Sequence, residues 1–535
     1  MRESRIILSK NIKIDKDYKN VIDYDESAML NLCIENIVVD SNNYSFIRTN
    51  GNIQTKFKYS DCLKSNYIAF QNKDYENKWF FAWIDDVIFK GENNTEIKYT
   101  IDSWSTFHNQ LKFIESLVLR EHVSDDTIGL HTINENLDIG EVIEEEYEEL
   151  LQKDIPEHVE DEHADYYLAI EGTYNPLTNK DFVGVTQING NFSGNWLFLF
   201  EIWGSTYQDV INFLEDVVKE NKMESIRNMF ILPYELVNEI GTDEYTNKGN
   251  AGITEATYKF KTLKSTSSSV IKNYLIKKIN KFKNITVKNN KCFCYPYNYM
   301  LVSNNVGNNI IYKYENFETV VDEFENELMT FAIEMSVSIG GSIRLVPKFY
   351  KKIDDNYEES IPLAKFPTCS WASDAFINWI TDNALNIGTQ IVTTTGNFVI
   401  GNIAGGANGT ANLIGQFREA ALQPSIVGGN NTGDVNFCSG KNIFSFHKMR
   451  VKDEYLKIID DYFTKYGYQV NELKVPNLNN RNIFNYVQIA PDENIGYGNI
   501  PNNYMEIINK IFRNGVTIWH NHNNIGNYNL DNYII

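Results

Sequence analysis

Apolar and polar residues alternate with a period of two through the first third of the chain, which is rich in Val, Ile, Tyr, Phe and Trp. That is the pattern of half-buried strands. The clearest run is WFFAWIDDVIFKGENNTEIKYTID. Phe81, Trp83, Val87 and Phe89 lead into a turn at Gly91–Asn94, and Ile97, Tyr99 and Ile101 lead out. Gly and Asn supply the turn chemistry of a hairpin. KFIESLVLREHV reads as one further strand. The alternation returns in DYYLAIEGTY, GNWLFLFEIW, ATYKFKTLK, CFCYPYNYMLVSN and NIIYKYENF, and MTFAIEMSVSIGGSIRLVPKFYKK reads as a hairpin about Gly340–Gly341. Helical periodicity is sparse. STYQDVINFLEDVVKENK puts Val210, Phe213, Leu214 and Val217 on one face, with a start signal at Ser205 or Thr206. DEYLKIIDDYFTKYG and YMEIINKIF are the other helical stretches, and VTIWH is a last strand. The expected fold class is mainly β with a few helices, α+β.

Two stretches break the pattern by their charge. From Glu141 to Asp165 the chain is acidic, with Lys153 its only Lys or Arg, and reads as a solvated connector. His158 and His163 lie within it, but their spacing matches no metal-ligand set. Residues 383–433 are the opposite: fifty-one residues whose only charges are Arg418 and Glu419, with ten glycines and eight asparagines. The expected division is therefore an N-terminal β domain at 1–140, the connector at 141–165, and a second mainly β domain at 166–370. The charge-poor loop at 371–435 and a C-terminal helix and strand segment at 436–535 complete it.

A chain of 535 residues, 42% hydrophobic and 13% aromatic, can bury large cores in two to four domains. A net charge of −22 excludes the basic footprint of general nucleic-acid binding. Cys33, Cys62, Cys292, Cys294, Cys369 and Cys438 form no CxxC pair and are expected as free buried thiols of a protein folded in a reducing cytoplasm. Cys292 and Cys294 alternate and are expected on one strand face. The N-terminal residues have no apolar core of a signal peptide, and no run of eighteen apolar residues exists. GxSxG, P-loop and HExxH motifs are absent, and IGGSI and GGANGT lack the context of a phosphate cradle. Asp85–Asp86 and Asp460–Asp461 are adjacent, a spacing that in a strand turns carboxylates to opposite faces. No catalytic residue, metal site or cofactor is expected, and no enzyme.

The charge-poor segment has its own physics. Leu385, Ile387, Ile391, Val392, Phe398, Val399, Ile400, Ile403, Leu413, Ile414, Phe417 and Leu422 each gain about 1.5–3 kcal/mol on leaving water. Lys or Asp costs roughly 2.5–3.5 kcal/mol at a bilayer centre, and the segment has shed almost all such residues. Its Asn and Thr still need hydrogen-bond partners in hydrocarbon, which several copies entering together supply. The composition suits an oligomer with stored, insertable loops. The other readings are a subunit-interface arm and a disordered surface loop.

IDSWSTF at 101–107, LREHV at 119–123 and NENLDIGE at 134–141 resemble the distal tail-knob, or tail-tube, proteins of small short-tailed bacteriophages. CYPYNYMLVSNNVGNN, DDYFTKYGYQVNELKVPNLNNRNIFNYV and NGVTIWH agree with that family in the same order. The resemblance implies β-barrel tube-wall domains assembled as a ring, a homo-hexamer, at the virion's tail tip. Its partners would be the proximal tail or collar (connector) protein, the host cytoplasmic membrane and viral DNA sliding through without sequence-specific binding. Residues 383–433 match the family's loop that plugs the tube and then forms a membrane channel for DNA ejection. Asp102, Trp104, Thr106, Arg120 and His122 are expected in a buried polar network. Gly467 and Tyr468 would be a helix stop with a left-handed cap. Arg481, Asn485 and Tyr486 would anchor the C-terminal segment, with Trp519 in the last motif. The alternative is a receptor-binding or baseplate-like adhesin whose loop is only an interface arm.

Overall fold

The computed structural model describes residues 4–150, 270–362 and 444–535 apart from short gaps (43, 48–50, 73–77, 306, 336–342 and 357), separate pieces between 166 and 263, and residues 369–370. The charge-poor segment with all its apolar residues from Leu385 to Leu422, as well as His158 and His163, lies outside the described residues.

Two compact units form, and both are discontinuous in sequence. The first joins Met1–Glu141, Asn284–Tyr297 and Val451–Ile535; the second joins Val142–Lys283 and Asn298–Arg450. The linear division expected from composition does not hold for the described residues, because the C-terminal residues complete the unit that the N terminus begins.

The first unit holds a seven-stranded antiparallel sheet in the order Ile37–Ser41, Ser4–Ser9, Tyr67–Asn72, Trp79–Gly91, Asn94–Ile101, Asn52–Thr55, Tyr44–Ile47. The hairpin read from the alternation is at its centre, with Val87 opposite Ile97 and Gly91 opposite Asn94. Its two edge strands are consecutive in the chain, separated only by residues 42 and 43. A flat seven-stranded sheet would hold its edges roughly 29 Å apart, whereas three Cα–Cα steps reach about 11 Å. The sheet must curl. Its edges are not paired to each other among the described residues, so it is a curled half-barrel rather than the closed barrel expected. Tyr67, Trp79, Phe81 and Trp83 pack inside it against Met29, Leu32 and Cys33 of the helix Glu26–Glu35.

A second sheet draws strands from both chain ends, in the order Asn20–Ile22, Val516–Trp519, Phe484–Ile489, Ser116–Glu121, Tyr468–Lys474. Asn20–Ile22, near the start of the chain, and Val516–Trp519, near its end, run parallel. KFIESLVLREHV is thus two strands in two sheets: Lys112–Phe113 pairs with Gly496–Tyr497, and Ser116–Glu121 joins this one. Helices Asp453–Tyr466 and Asn502–Asn514 bury Leu456, Ile459 and Phe463, and Ile508, Ile511 and Phe512. Cys292 does not share a strand face with Cys294, because Asn290–Phe293 is a 3-10 turn; both are buried and in no disulfide, as are Cys33 and Cys62.

In the second unit, Tyr166–Gly172 lies between Trp196–Glu201 and Ile226–Pro233. Phe198, Phe200, Phe213 and Phe260 interlock there with ring centroids 4.8–6.0 Å apart. A further sheet carries Val270–Lys277, Glu327–Met335, Ile343–Tyr350 and Ile353–Asp355 in order. The acidic stretch is no solvated connector at its start. Val142–Leu150 is a strand hydrogen-bonded to Phe444–Val451, in a sheet that continues with Asn298–Ser303 and Asn309–Tyr312.

Candidate functional site

The family-motif residues fall into two buried clusters of the first unit rather than one network. Asp102 ends the central hairpin and caps the short helix Ser103–Phe107, accepting from Ser105 N at 3.2 Å, Ser105 Oγ at 2.8 Å and Tyr67 OH at 2.7 Å. Burial pushes its carboxyl above the usual range, against these hydrogen bonds, which lower it. Trp104 donates from Nε1 to Ile22 O at 2.7 Å and stacks on His108. The Thr106 hydroxyl meets both polar groups of the Phe81 backbone, at 3.1 and 3.2 Å. These three side chains fix the turn that leaves the curled sheet.

The second cluster joins the strand Ser116–Glu121 to the chain beyond the helix Asp453–Tyr466. Tyr486 N–H donates to His122 Nδ1 at 2.9 Å, so the neutral ring carries its proton on Nε2 and donates to Thr464 O at 3.1 Å. Burial, aided by Arg481, pushes this imidazole down to about 3. Arg120 donates to Gly467 O at 2.9 Å and pairs with the buried carboxylate of Glu135, which also holds Lys291 and accepts from Gln469 N at 2.8 Å. Tyr468 donates to Asp126 Oδ1 at 2.6 Å. Gly467 has φ 63° and ψ −153°. It therefore ends the helix in a mirror-extended conformation open to glycine, not in the left-handed helical cap expected. A Cβ there would collide with the Glu121 carbonyl oxygen.

Arg481 donates to Asn532 O at 3.2 Å, and Asn485 is bound by His520 at 3.1 Å and pairs with Asn480. The Tyr486 hydroxyl occupies the space where Gly515 has no side chain. Trp519 donates to Asn20 Oδ1 at 2.9 Å and packs on Phe484 and Tyr528. Sequence reasoning missed Glu135, Lys291 and Asp126, though the first lies in NENLDIGE and the second abuts the CFCYPY run. It also placed Asp460–Asp461 by strand rules. They sit on a helix, where Asp460 accepts from Lys288 N at 3.0 Å and Asn289 N at 3.0 Å.

In the second unit the strand Phe444–Val451 is the first described element after the charge-poor segment, and the acidic strand clamps it. Lys448 reaches Glu146 at 3.1 Å and Glu148 at 2.5 Å, Arg450 reaches Glu145 at 2.6 Å, and His447 reaches Glu144 at 2.6 Å. Lys448 and Arg450 are buried, and the Arg450 guanidinium also lies over the Phe282 ring at 5.2 Å. The glutamates that looked like a solvent-facing run neutralise cations. Among the described residues no group of three or more His, Cys, Asp and Glu is arranged to hold a metal. No helix among them is long and apolar enough to cross a membrane.

The family described as Bacillus phage phi29 tail knob protein gp9, C-terminal domain, matches residues 258–436 and 415–533, which together span more than half of the chain and run through the charge-poor segment. The caudoviral major tail protein N-terminus family matches residues 2–112. Tail knob protein gp9 of Bacillus phage phi29 is 24% identical over 88% of this chain and 87% of its own length. That of Bacillus phage B103 is 21% identical over 90% of each. The solved tail knob protein gp12 of bacteriophage C1 has the same fold, with a TM-score of 0.58 over 99% of this chain and 100% of its own, at 14% identity. A mainly β fold with few helices, motif residues spent on internal architecture and this family match lead to one assignment: the chain belongs to the phage tail knob proteins, structural components of the virion tail.

Proposed function

We propose that copies of the chain, six by the family resemblance, form the wall of the distal tail tube, and that residues 383–433 plug its lumen before infection and line a channel through the host cytoplasmic membrane during DNA ejection. One observation carries this reading: fifty-one residues of an otherwise acidic chain hold a single adjacent pair of opposite charges. Such a segment enters hydrocarbon without the penalty of stranded charges, and its Asn and Thr require company, which a ring of copies supplies. The ion-paired return strand suits the reading too, because a segment that moves needs a fixed end. A net charge of −22 favours a wall that repels phosphate and lets DNA slide.

The test is dye release from liposomes of bacterial lipid composition by the full chain and by a chain lacking residues 383–433. Leakage by the first and not the second is expected, with phage carrying the deletion adsorbing normally but delivering no DNA. Absence of leakage across the pH range, together with full infectivity of the deletion phage, would sink the proposal.

A further inference from the structure

The short helix Ser103–Phe107 of the first unit runs directly into His108, which is buried, with 8% of the residue exposed. Two contacts fix its ring. It stacks on Trp104, with centroids 4.7 Å apart and planes 13° from parallel. Its Nδ1 lies 2.8 Å from the Trp104 carbonyl oxygen, so the neutral ring carries its proton there and presents a lone pair at Nε2. That lone pair is sealed from water and has no hydrogen-bond partner among the described residues. Burying an acceptor unmet is costly, and this one is aimed rather than loose.

What Nε2 faces is oxygen. Asp23 Oδ1 stands 3.9 Å away, beyond hydrogen-bond reach. The aspartate is itself held: the Asn479 amide donates to Oδ2 at 3.2 Å, and the Asp23 N–H donates to Trp519 O at 2.9 Å. Burial pushes the His108 imidazole below its ordinary pKa, while the Trp104 carbonyl, Asp23, the Tyr24 backbone and Asp25 act the other way. The surroundings thus favour positive charge beside a ring that burial keeps from taking a proton. A cation other than the proton meets both conditions.

We propose that His108 Nε2 and Asp23 Oδ1 bind a divalent transition ion of the zinc class, with water completing its shell. A ring whose other N–H is spent on a backbone carbonyl has the support that metal-bound histidines have. Zinc holds nitrogen and oxygen at about 2.0–2.2 Å, so two ligands at the tetrahedral angle stand about 3.4 Å apart, and Asp23 needs to close by about 0.5 Å. Its side chain is 32% exposed, which gives it room to move and the ion a way in. An imidazole with a carboxylate selects zinc-like ions over Mg2+ and Ca2+, which take oxygen ligands. Two side chains are fewer than a permanent structural site uses, so the ion exchanges. It would tie the chain beyond the strand Asn20–Ile22 to the helix that follows the central hairpin, and so join the five-stranded sheet to the curled one.

The test is calorimetric titration of Zn2+ into the full chain after chelation, with X-ray absorption on the loaded protein. Saturable uptake is expected, with nitrogen and oxygen but no sulfur in the first shell, and no competition from equimolar Mg2+. His108→Phe keeps the stacking on Trp104, and Asp23→Asn keeps the shape of the aspartate; each should weaken binding by about tenfold or more. Asp23→Asn decides the matter if His108→Phe does not fold, because its side chain is part-exposed. His158→Ala with His163→Ala removes the imidazoles of the acidic stretch and should leave uptake at His108 unchanged. No saturable uptake, uptake indifferent to Asp23→Asn, a sulfur shell, or loss of all uptake with the acidic-stretch histidines would each overturn the site. Displacement by Mg2+ would overturn the class of ion.

Discussion

His122 shows how a motif residue of this protein works. Both ring nitrogens are committed, Nδ1 as acceptor for Tyr486 N–H and Nε2–H as donor to Thr464 O, and the backbone carbonyl takes Asn480 Nδ2 at 2.6 Å. Protonation would place a donor against a donor in a site that burial already makes hostile to charge, beside the Arg481 guanidinium. The folded imidazole titrates at about 3 against an ordinary 6.5. Between those values the unfolded chain binds a proton that the native one does not, so this contribution to stability is complete above pH 6.5 and is lost as pH falls toward 3. His122→Asn keeps an acceptor near the Nδ1 position and removes the titration. Urea unfolding followed by the fluorescence of the first unit's tryptophans should give a wild-type curve that falls more steeply with acidification than the variant's, by up to about 1.4 kcal/mol per pH unit. Parallel curves through that window would contradict the assignment. Gly467 makes the same point without charge: helix, turn and strand meet so closely that only a hydrogen fits.

At the scale of elements, the pairing of the acidic strand Val142–Leu150 with Phe444–Val451 contains two kinds of ion pair. Glu145 and Arg450 are both nearly sealed from solvent, whereas Glu144 is exposed beside His447. Removing one member of a buried pair strands the other, a loss of about 3–5 kcal/mol; an exposed pair is worth about 0–1 kcal/mol. Glu145→Ala should therefore free the strand Phe444–Val451 to hydrogen exchange, and Glu144→Ala should leave its protection close to wild type. Equal protection in both variants would show that the strand is held by its backbone ladder alone. This strand also marks what period and charge conceal. The hairpin at Trp79–Ile101 and the helices at Asp453–Tyr466 and Asn502–Asn514 were legible because one face of each is buried and the other wet, and alternation records that. A glutamate run whose partners lie some three hundred residues on records nothing of them locally. Helix Glu26–Glu35 escaped notice for a related reason: its apolar residues are spread around the axis, and packing under the sheet holds it. Of the motif clusters, residue types suggested burial and hydrogen bonding, but their separation into two groups is set by which strands pair.

The whole molecule is organised by an insertion. The chain leaves the first unit after Glu141, returns for Asn284–Tyr297, leaves again and comes back at Val451. The charge-poor segment falls, in sequence, within the second excursion. The first unit cannot be made from its N-terminal piece. In the five-stranded sheet, Ser116–Glu121 has Phe484–Ile489 on one side and Tyr468–Lys474 on the other, and Asn20–Ile22 pairs with Val516–Trp519. Residues 1–141 alone would expose both edges of Ser116–Glu121 and strand Asp126 and Glu135 without Tyr468 and Lys291. Trp104 would also lose Phe512 from its face. Each loss leaves unpaired backbone, an unpartnered charge or uncovered apolar surface, costs of about 1–5 kcal/mol apiece that a domain stable by roughly 5–15 kcal/mol cannot absorb together. A fragment of residues 1–141 should thus show strand content without a cooperative thermal transition and be digested throughout by protease. A chain in which a short flexible linker replaces 142–283, and another replaces 298–450, should melt cooperatively and retain the acid sensitivity of His122. A cooperative melt of the isolated 1–141 fragment would mean that the curled sheet folds alone and that the C-terminal strands are an addition to it.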